Sequence, residues 1–359
     1  TQPKDAYYNA VMNWMERKHN WKTKREWIVK TPGVVFALGA AVKAFTDPGD
    51  AILIQNPVYY PFTNIIRDND RKVVDNTLVY HSVTERTVVP VTTDDASEQQ
   101  INNVGTVSPA YQIDFEDFER KIEQEHVKLF ILCNPHNPVG RVWTVEELQK
   151  LGEICLRHHV IVVSDEIHND FVYPGYEHTV FANVDPRFAE FTLTCTAPSK
   201  TFNLAGLQIS NIFIPNENLR KAFKTEIDRT GYDEPNALGV VACEAAYRAG
   251  EDWLDQLKAY LLKNLNFLRD FLQEKLPQIH LVEPEGTYLV WLDCSELGIT
   301  GKELDQFIVD KAGLWLDGGS MFGPDGAAFQ RVNIACPQAT LELALNKLKA
   351  AVEGYGNHL

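Results

Sequence analysis

Short runs of apolar and β-branched residues recur along the chain, each ending abruptly in polar residues. Ala51–Ile54 and residues 128–132, 160–163 and 191–195 are too short for helices. With both alternate positions filled by apolar side chains, they read as strands buried on both faces. Between them lie stretches of helical character. Residues 6–19 read as a helix, and Val34–Phe45 has the apolar density of a buried one, opening after the breaker Pro32-Gly33. Residues 26–30 look like a short strand, and another helix starts at Thr144, where Thr144 and Glu147 stand at capping-box spacing. Strands alternating with helices predict an α/β fold, a mostly parallel sheet covered on both faces.

The pattern changes after Glu251–Lys275, which reads as one long helix. A strand at 286–293, a helix at 302–312, a strand at 330–335 and an amphipathic helix at 340–352 predict a smaller α+β domain. The expected division is a large domain over 25–250 and a small domain built from 1–24 and 251–359. Residues 81–110 fit neither pattern: they are polar, lack periodicity and are long for a connection, so they read as an inserted surface loop.

Composition narrows the partners. The formal charge of −15 argues against a nucleic-acid or anionic-membrane surface, which needs excess Lys and Arg. No apolar run approaches the ~18 residues of a membrane span. The six cysteines are scattered without a CxxC pair, as expected of reduced thiols in a cytoplasmic protein. The chain opens Thr1-Gln2-Pro3 with no charged-then-apolar leader, so its start reads as trimmed rather than targeted.

In open parallel sheets, ligands bind beyond the carboxyl ends of the strands. Here those ends carry Tyr59, Asn137, Asp165 and Lys200. Each has an ordinary reading: a core tyrosine, a turn asparagine, a helix cap, a lysine bent toward solvent. Together they suggest pyridoxal-phosphate chemistry. Lys200 at a buried strand end would be held toward the neutral amine that a Schiff base requires. Asp165 ends the most apolar strand and needs a cationic partner, which a pyridinium nitrogen supplies. Asn137, in a proline-bounded loop, could donate to a ring oxygen, and Tyr59 could lie flat on the ring. The amides of Val34 and Val35 open a helix and suit a phosphate. Arg331 starts an alternating strand and could clasp a carboxylate with two parallel hydrogen bonds.

Five phrases carry a family resemblance: Pro-Val-Tyr-Tyr-Pro-Phe (57–62), Asn-Pro-His-Asn-Pro-Val-Gly (134–140), Ser-Asp-Glu-Ile-His (164–168), Ser-Lys-Thr-Phe-Asn-Leu-Ala-Gly-Leu-Gln (199–208) and Pro-Glu-Gly-Thr-Tyr-Leu-Val-Trp-Leu-Asp (284–293). In this order they resemble the fold-type-I class I/II aminotransferase family, and more narrowly its MalY/PatB-type C–S lyases, the bacterial cystathionine β-lyases and cystalysin. The resemblance implies a large domain with a mostly parallel seven-stranded sheet, a smaller α+β domain, a homodimer and pyridoxal 5'-phosphate. It implies Lys200 as Schiff-base lysine and proton-transfer base, Asp165 at the ring nitrogen, Asn137 at the ring hydroxyl, Tyr59 stacked and acting beside Lys200, and Val34 and Val35 on the phosphate. Arg331, with Asn137, would hold the substrate carboxylate. His168 looks like the lyase branch, where many aminotransferases carry tyrosine.

Three departures stand out. Gln208 replaces an arginine that many aminotransferases place on the phosphate, as the lyase branch often does. Ala197 lacks a hydroxyl that some relatives use there, leaving Ser199 or Thr196 for that contact. The family's tyrosine that reaches the neighbouring phosphate would fall just before Thr1. The expected reaction is β-elimination from L-cystathionine or a related sulfur amino acid, giving pyruvate, ammonia and a thiol. The alternatives are a class I/II aminotransferase and a pyridoxal-phosphate-binding regulator with weak activity.

Overall fold

The computed structural model describes residues 3–82, 88–89, 106–107 and 110–356. Strands β1 (Ile28–Thr31), β2 (Ala51–Ile54), β3 (Lys72–Asp75), β4 (Leu129–Cys133), β5 (Ile161–Asp165), β6 (Thr192–Thr196) and β7 (Ser210–Phe213) form one seven-stranded sheet. Their order is β1-β7-β6-β5-β4-β2-β3, and β7 runs against its neighbours β6 and β1 while the other pairings are parallel.

Burial explains the near-continuous apolar runs. In β4, Phe130 and Leu132 join one core cluster while Leu129, Ile131 and Cys133 join another, because successive side chains point to opposite faces. Helix α2 (Val34–Phe45) covers the second face through Ala37, Leu38, Ala41 and Val42. Helix α3 (Val145–Arg157) covers the first through Leu148, Leu151 and Ile154. Its expected capping box is formed: Thr144 Oγ1 accepts from Glu147 N at 3.2 Å, and Glu147 Oε2 accepts from Thr144 N at 2.9 Å.

The second sheet holds β8 (His280–Val282), β9 (Leu289–Asp293), β10 (Asp317–Gly318) and β11 (Phe329–Asn333), in the antiparallel order β8-β9-β11-β10. Two helices, Glu251–Lys275 and Gln338–Gly356, share its core through Leu265, Leu268, Val290, Leu292, Leu345 and Leu348. Helix α1 (Asp5–His19) is drawn into the same cluster by Tyr7, Val11 and Trp14. Trp14 stacks on Tyr247 of the helix Ala237–Ala249 with centroids 5.1 Å apart.

Several boundaries shift from the sequence reading. The strand expected at 26–30 begins at Ile28, after a turn of 3₁₀ helix over Arg25–Trp27, because β1 takes its register from β7. The strand expected from 286 begins at Leu289, since Gly286 bridges to Val172 and Thr287 has φ 69°. The expected insertion lies mostly outside the described residues; within it Val88–Val89 pairs with Thr106–Val107. All six cysteines are free, five of them buried. Among the described residues no helix is long and apolar enough to cross a membrane.

Candidate active site

The residues following β2, β4, β5 and β6 meet in one cleft of about 370 Å³. Tyr59, Asn137, Asp165, His168, Ser199, Lys200, Val34 and Val35 all line it from the large sheet, and Arg331 lines it from β11 of the small one. The sequence separation is closed by topology: parallel strands send their chain ends, and the polar residues just beyond them, to a common edge.

Asp165 is buried, and its Oδ1 accepts from the Ile167 amide at 3.2 Å. Desolvation pushes its carboxyl up to about 7, against the opposing pull of that amide and of Lys200. Lys200 lies in the turn Pro198–Thr201, and its ammonium makes no hydrogen bond or ion pair among the described residues. Burial lowers its pKa, with Arg331 adding to the effect and Asp165 opposing it. Beneath it, Thr201 Oγ1 donates to Asp170 Oδ2 at 2.6 Å, and Asp170 also receives Trp14 Nε1 at 3.1 Å and contacts His19 Nε2 at 3.0 Å. The lysine turn is thus fastened to a buried carboxylate. Asp170 and His19, together with His178, line a separate cleft of about 530 Å³ that does not reach Lys200.

His168 is buried with Nδ1 lacking a partner among the described residues, and burial pushes its pKa down to about 3, so the imidazole is neutral at ordinary pH. Its ring meets Tyr288 edge-on at 5.7 Å. Tyr59 is half-buried, flanked by Tyr60 at 5.4 Å and Phe62 at 6.0 Å, which fix its ring as a wall of the cleft. The helix start at Val34 follows Gly33, whose carbonyl accepts from Ala37, so the first turn's amides have no helical partner.

Asn137 Oδ1 accepts from Arg331 Nη1 at 2.8 Å, and the Asn137 amide N donates to Cys133 Sγ at 3.4 Å. With its oxygen committed to Arg331, the side-chain NH₂ of Asn137 is left as a donor. Ser199 lines the cleft, whereas Thr196 does not: its hydroxyl donates to the Asn211 carbonyl of β7 at 3.1 Å. Thr196 therefore has its hydroxyl committed inside the sheet, and of the two hydroxyls expected near a phosphate only Ser199 faces the cleft. Several lining residues were not singled out from the sequence, among them Cys133, Tyr288 and Asn333. Tyr288 sits inside the phrase 284–293, one residue before an apolar strand, which was its available signal.

The chain belongs to the aminotransferase class I and II family, which it matches over residues 1–348. Within that family it is 44% identical over 352 residues to cystathionine beta-lyase PatB of Bacillus subtilis, covering 98% of this chain and 84% of that protein. It is 30% identical over 349 residues to protein MalY of Escherichia coli, covering 97% of this chain and 82% of that one. Among solved structures it superposes on cystalysin from Treponema denticola, which contains a pyridoxal 5'-phosphate cofactor, with a TM-score of 0.90 and 37% identity; the match covers 99% of this chain and 83% of cystalysin. The fold is therefore that of the pyridoxal-phosphate enzymes of fold type I.

Proposed function

We propose that the protein is a pyridoxal-phosphate-dependent C–S lyase that catalyses β-elimination on L-cystathionine or a related sulfur amino acid. The observation that carries this reading is the convergence in one cleft of a lysine with no hydrogen-bond partner among the described residues, a buried acid and an arginine. Its similarity to PatB, MalY and cystalysin supports the lyase branch.

The donor set fits the cofactor. A buried carboxyl whose described partners include no cation suits a protonated ring nitrogen, and the Asn137 NH₂ suits a ring oxygen. The Tyr59 ring offers a flat wall. The Val34 and Val35 amides and the Ser199 hydroxyl suit the phosphate. His168 packs behind Tyr288 as a neutral spacer with a spare ring nitrogen.

When bound, pyridoxal phosphate supplies an electron sink for the pair left on Cα. Lys200 would hold it covalently and would be the group that takes the Cα proton, a role favoured by a lowered amine pKa. Asp165 would hold the proton at the ring nitrogen. Arg331 and Asn137 would receive the α-carboxylate and so hold the substrate in the cleft. Loss of the proton and of thiolate from Cβ leaves aminoacrylate, which water converts to pyruvate and ammonia.

The test is to incubate the protein with pyridoxal phosphate and L-cystathionine, without a keto acid, and to measure pyruvate and free thiol together. Equal release is expected, and Lys200→Ala should abolish both; normal pyruvate production by that variant would sink the scheme. Turnover that demands a keto-acid acceptor and releases no thiol would move the assignment to transamination. The homodimer implied by the resemblance and the cytoplasmic location read from the cysteines belong to the same proposal; six free thiols, five of them buried, support the location.

A further inference from the structure

Arg331 is held by an elaborate set of partners. It lies on β11 directly across from Asp317 on β10. Asp317 Oδ2 accepts from Arg331 Nε at 3.2 Å and also from Nη2. Nη1 donates to Asn137 Oδ1 at 2.8 Å, and the Phe322 ring lies 4.8 Å from the guanidinium carbon. A guanidinium carries five N–H donors. Three are committed here, which leaves one on each terminal nitrogen.

The position of Asp317 separates two roles it could have. Arg331 and Asn137 line the cleft, while Asp317 does not. Asp317 thus grips the guanidinium from outside and does not occupy the space a ligand would take. Its placement is locked by the strand pair. A Cβ on Gly318 would meet Asp305 Oδ1 at 2.2 Å, and that oxygen accepts from Gln330 Nε2 at 2.7 Å. Gly318 and Gln330 are register partners, so Asp305 staples the step beside the Asp317–Arg331 pair.

We propose that Asp317 is a positioning residue for carboxylate recognition, fixing the plane of Arg331 so that its two remaining N–H groups meet the α-carboxylate of the amino-acid substrate. The inference rests on the reading of Arg331 as the carboxylate site of the lyase. Holding the arginine affects how tightly substrate binds and leaves the chemistry at Cα to Lys200. Asp317 therefore acts on KM and not on kcat.

The experiment compares the holoenzyme with Asp317→Ala and Asp317→Asn. In Asp317→Ala, KM for L-cystathionine should rise roughly tenfold to a hundredfold, the range of a lost charge-assisted bond, with kcat nearly unchanged. Asp317→Asn keeps a neutral acceptor and should recover most of that loss. A readout free of turnover is the Kd of L-alanine, which has no leaving group on Cβ, followed by the absorbance of the bound cofactor; it should move in parallel with KM. The affinity of the apoprotein for pyridoxal phosphate should stay constant. Unchanged KM and Kd would overturn the proposal, and lowered values would show Asp317 to be a competitor for Arg331. A joint fall in kcat, melting temperature and cofactor affinity at constant KM would reduce Asp317 to a structural role. Arg331→Ala with the parent's KM would place the carboxylate elsewhere and end the proposal while leaving the lyase reading intact. If the parent releases neither pyruvate nor thiol, the lyase reading fails, and the L-alanine Kd still decides the role of Asp317.

Discussion

Asp165 is the residue where folding and chemistry pull in opposite directions. An unfolded carboxyl ionises near 3.8, but burial holds this one protonated up to about 7. The folded apoprotein therefore binds a proton that the unfolded chain has released, and stability falls as pH rises from about 4 through about 7. Asp165→Asn removes the penalty. In apoprotein melts the variant's advantage should be near zero at pH 4 and reach roughly 2–4 kcal/mol by pH 8. A difference that stays flat across that range would show that Asp165 is not the titrating group. With pyridoxal phosphate bound, the same substitution should weaken cofactor binding, because the ring nitrogen loses its counter-charge. A group costly to the apoprotein is thus expected to be useful to the holoenzyme.

Among the elements, the join between the two sheets runs through a clip beside the loop that carries Asn137. Arg141 is buried, with Nε 2.9 Å from Glu285 Oε2 and Nη2 2.8 Å from Glu147 Oε2. Glu285 also accepts from the Val142 amide at 2.7 Å, and the amides of Glu285 and Gly286 both reach the Gly140 carbonyl. Gly140 has φ 75°, and a Cβ there would meet Pro284 Cβ at 2.8 Å, so the two segments close only over glycine. Glu285→Ala leaves a buried guanidinium partly unpaired and should cost about 3 kcal/mol in a urea melt. It should also lower kcat/KM by displacing Asn137; an unchanged melt would remove the clip from the account of stability.

This clip was not legible in the sequence, because Arg141, Glu147 and Glu285 are ordinary surface types until a fold buries them together. The strand ends were legible for the opposite reason. A run such as Val160 to Val163 followed by Ser-Asp-Glu can only be a buried strand meeting something polar. β7 escaped notice because Ser210 and Asn211 break its apolar pattern; the structure accepts them through Thr31, whose Oγ1 lies 2.6 Å from Ser210 Oγ, and through Tyr7, which donates to Asn211 at 2.6 Å. Thr196 was a fair candidate by position, yet strand alternation turned its hydroxyl to the neighbouring backbone. The carbonyl that takes this hydroxyl belongs to the unseen β7.

For the molecule as a whole, the buried thiols make a simple test of the packing. Cys133, Cys155, Cys195, Cys243 and Cys294 are buried and Cys336 is partly accessible. A thiol reagent should react with a single cysteine in the native protein and with all six after unfolding in urea. A second fast-reacting thiol in the native state would mean that one core face opens readily.

The cleft draws its walls from Val34 at one end of the chain to Arg331 near the other, with both sheets contributing. No single segment brings more than a few of those groups. A dye-like cofactor that needs all of them is then an optical reporter of folding: its visible band should appear only once the first and last thirds of the polypeptide have found each other, so that refolding can be timed by colour alone.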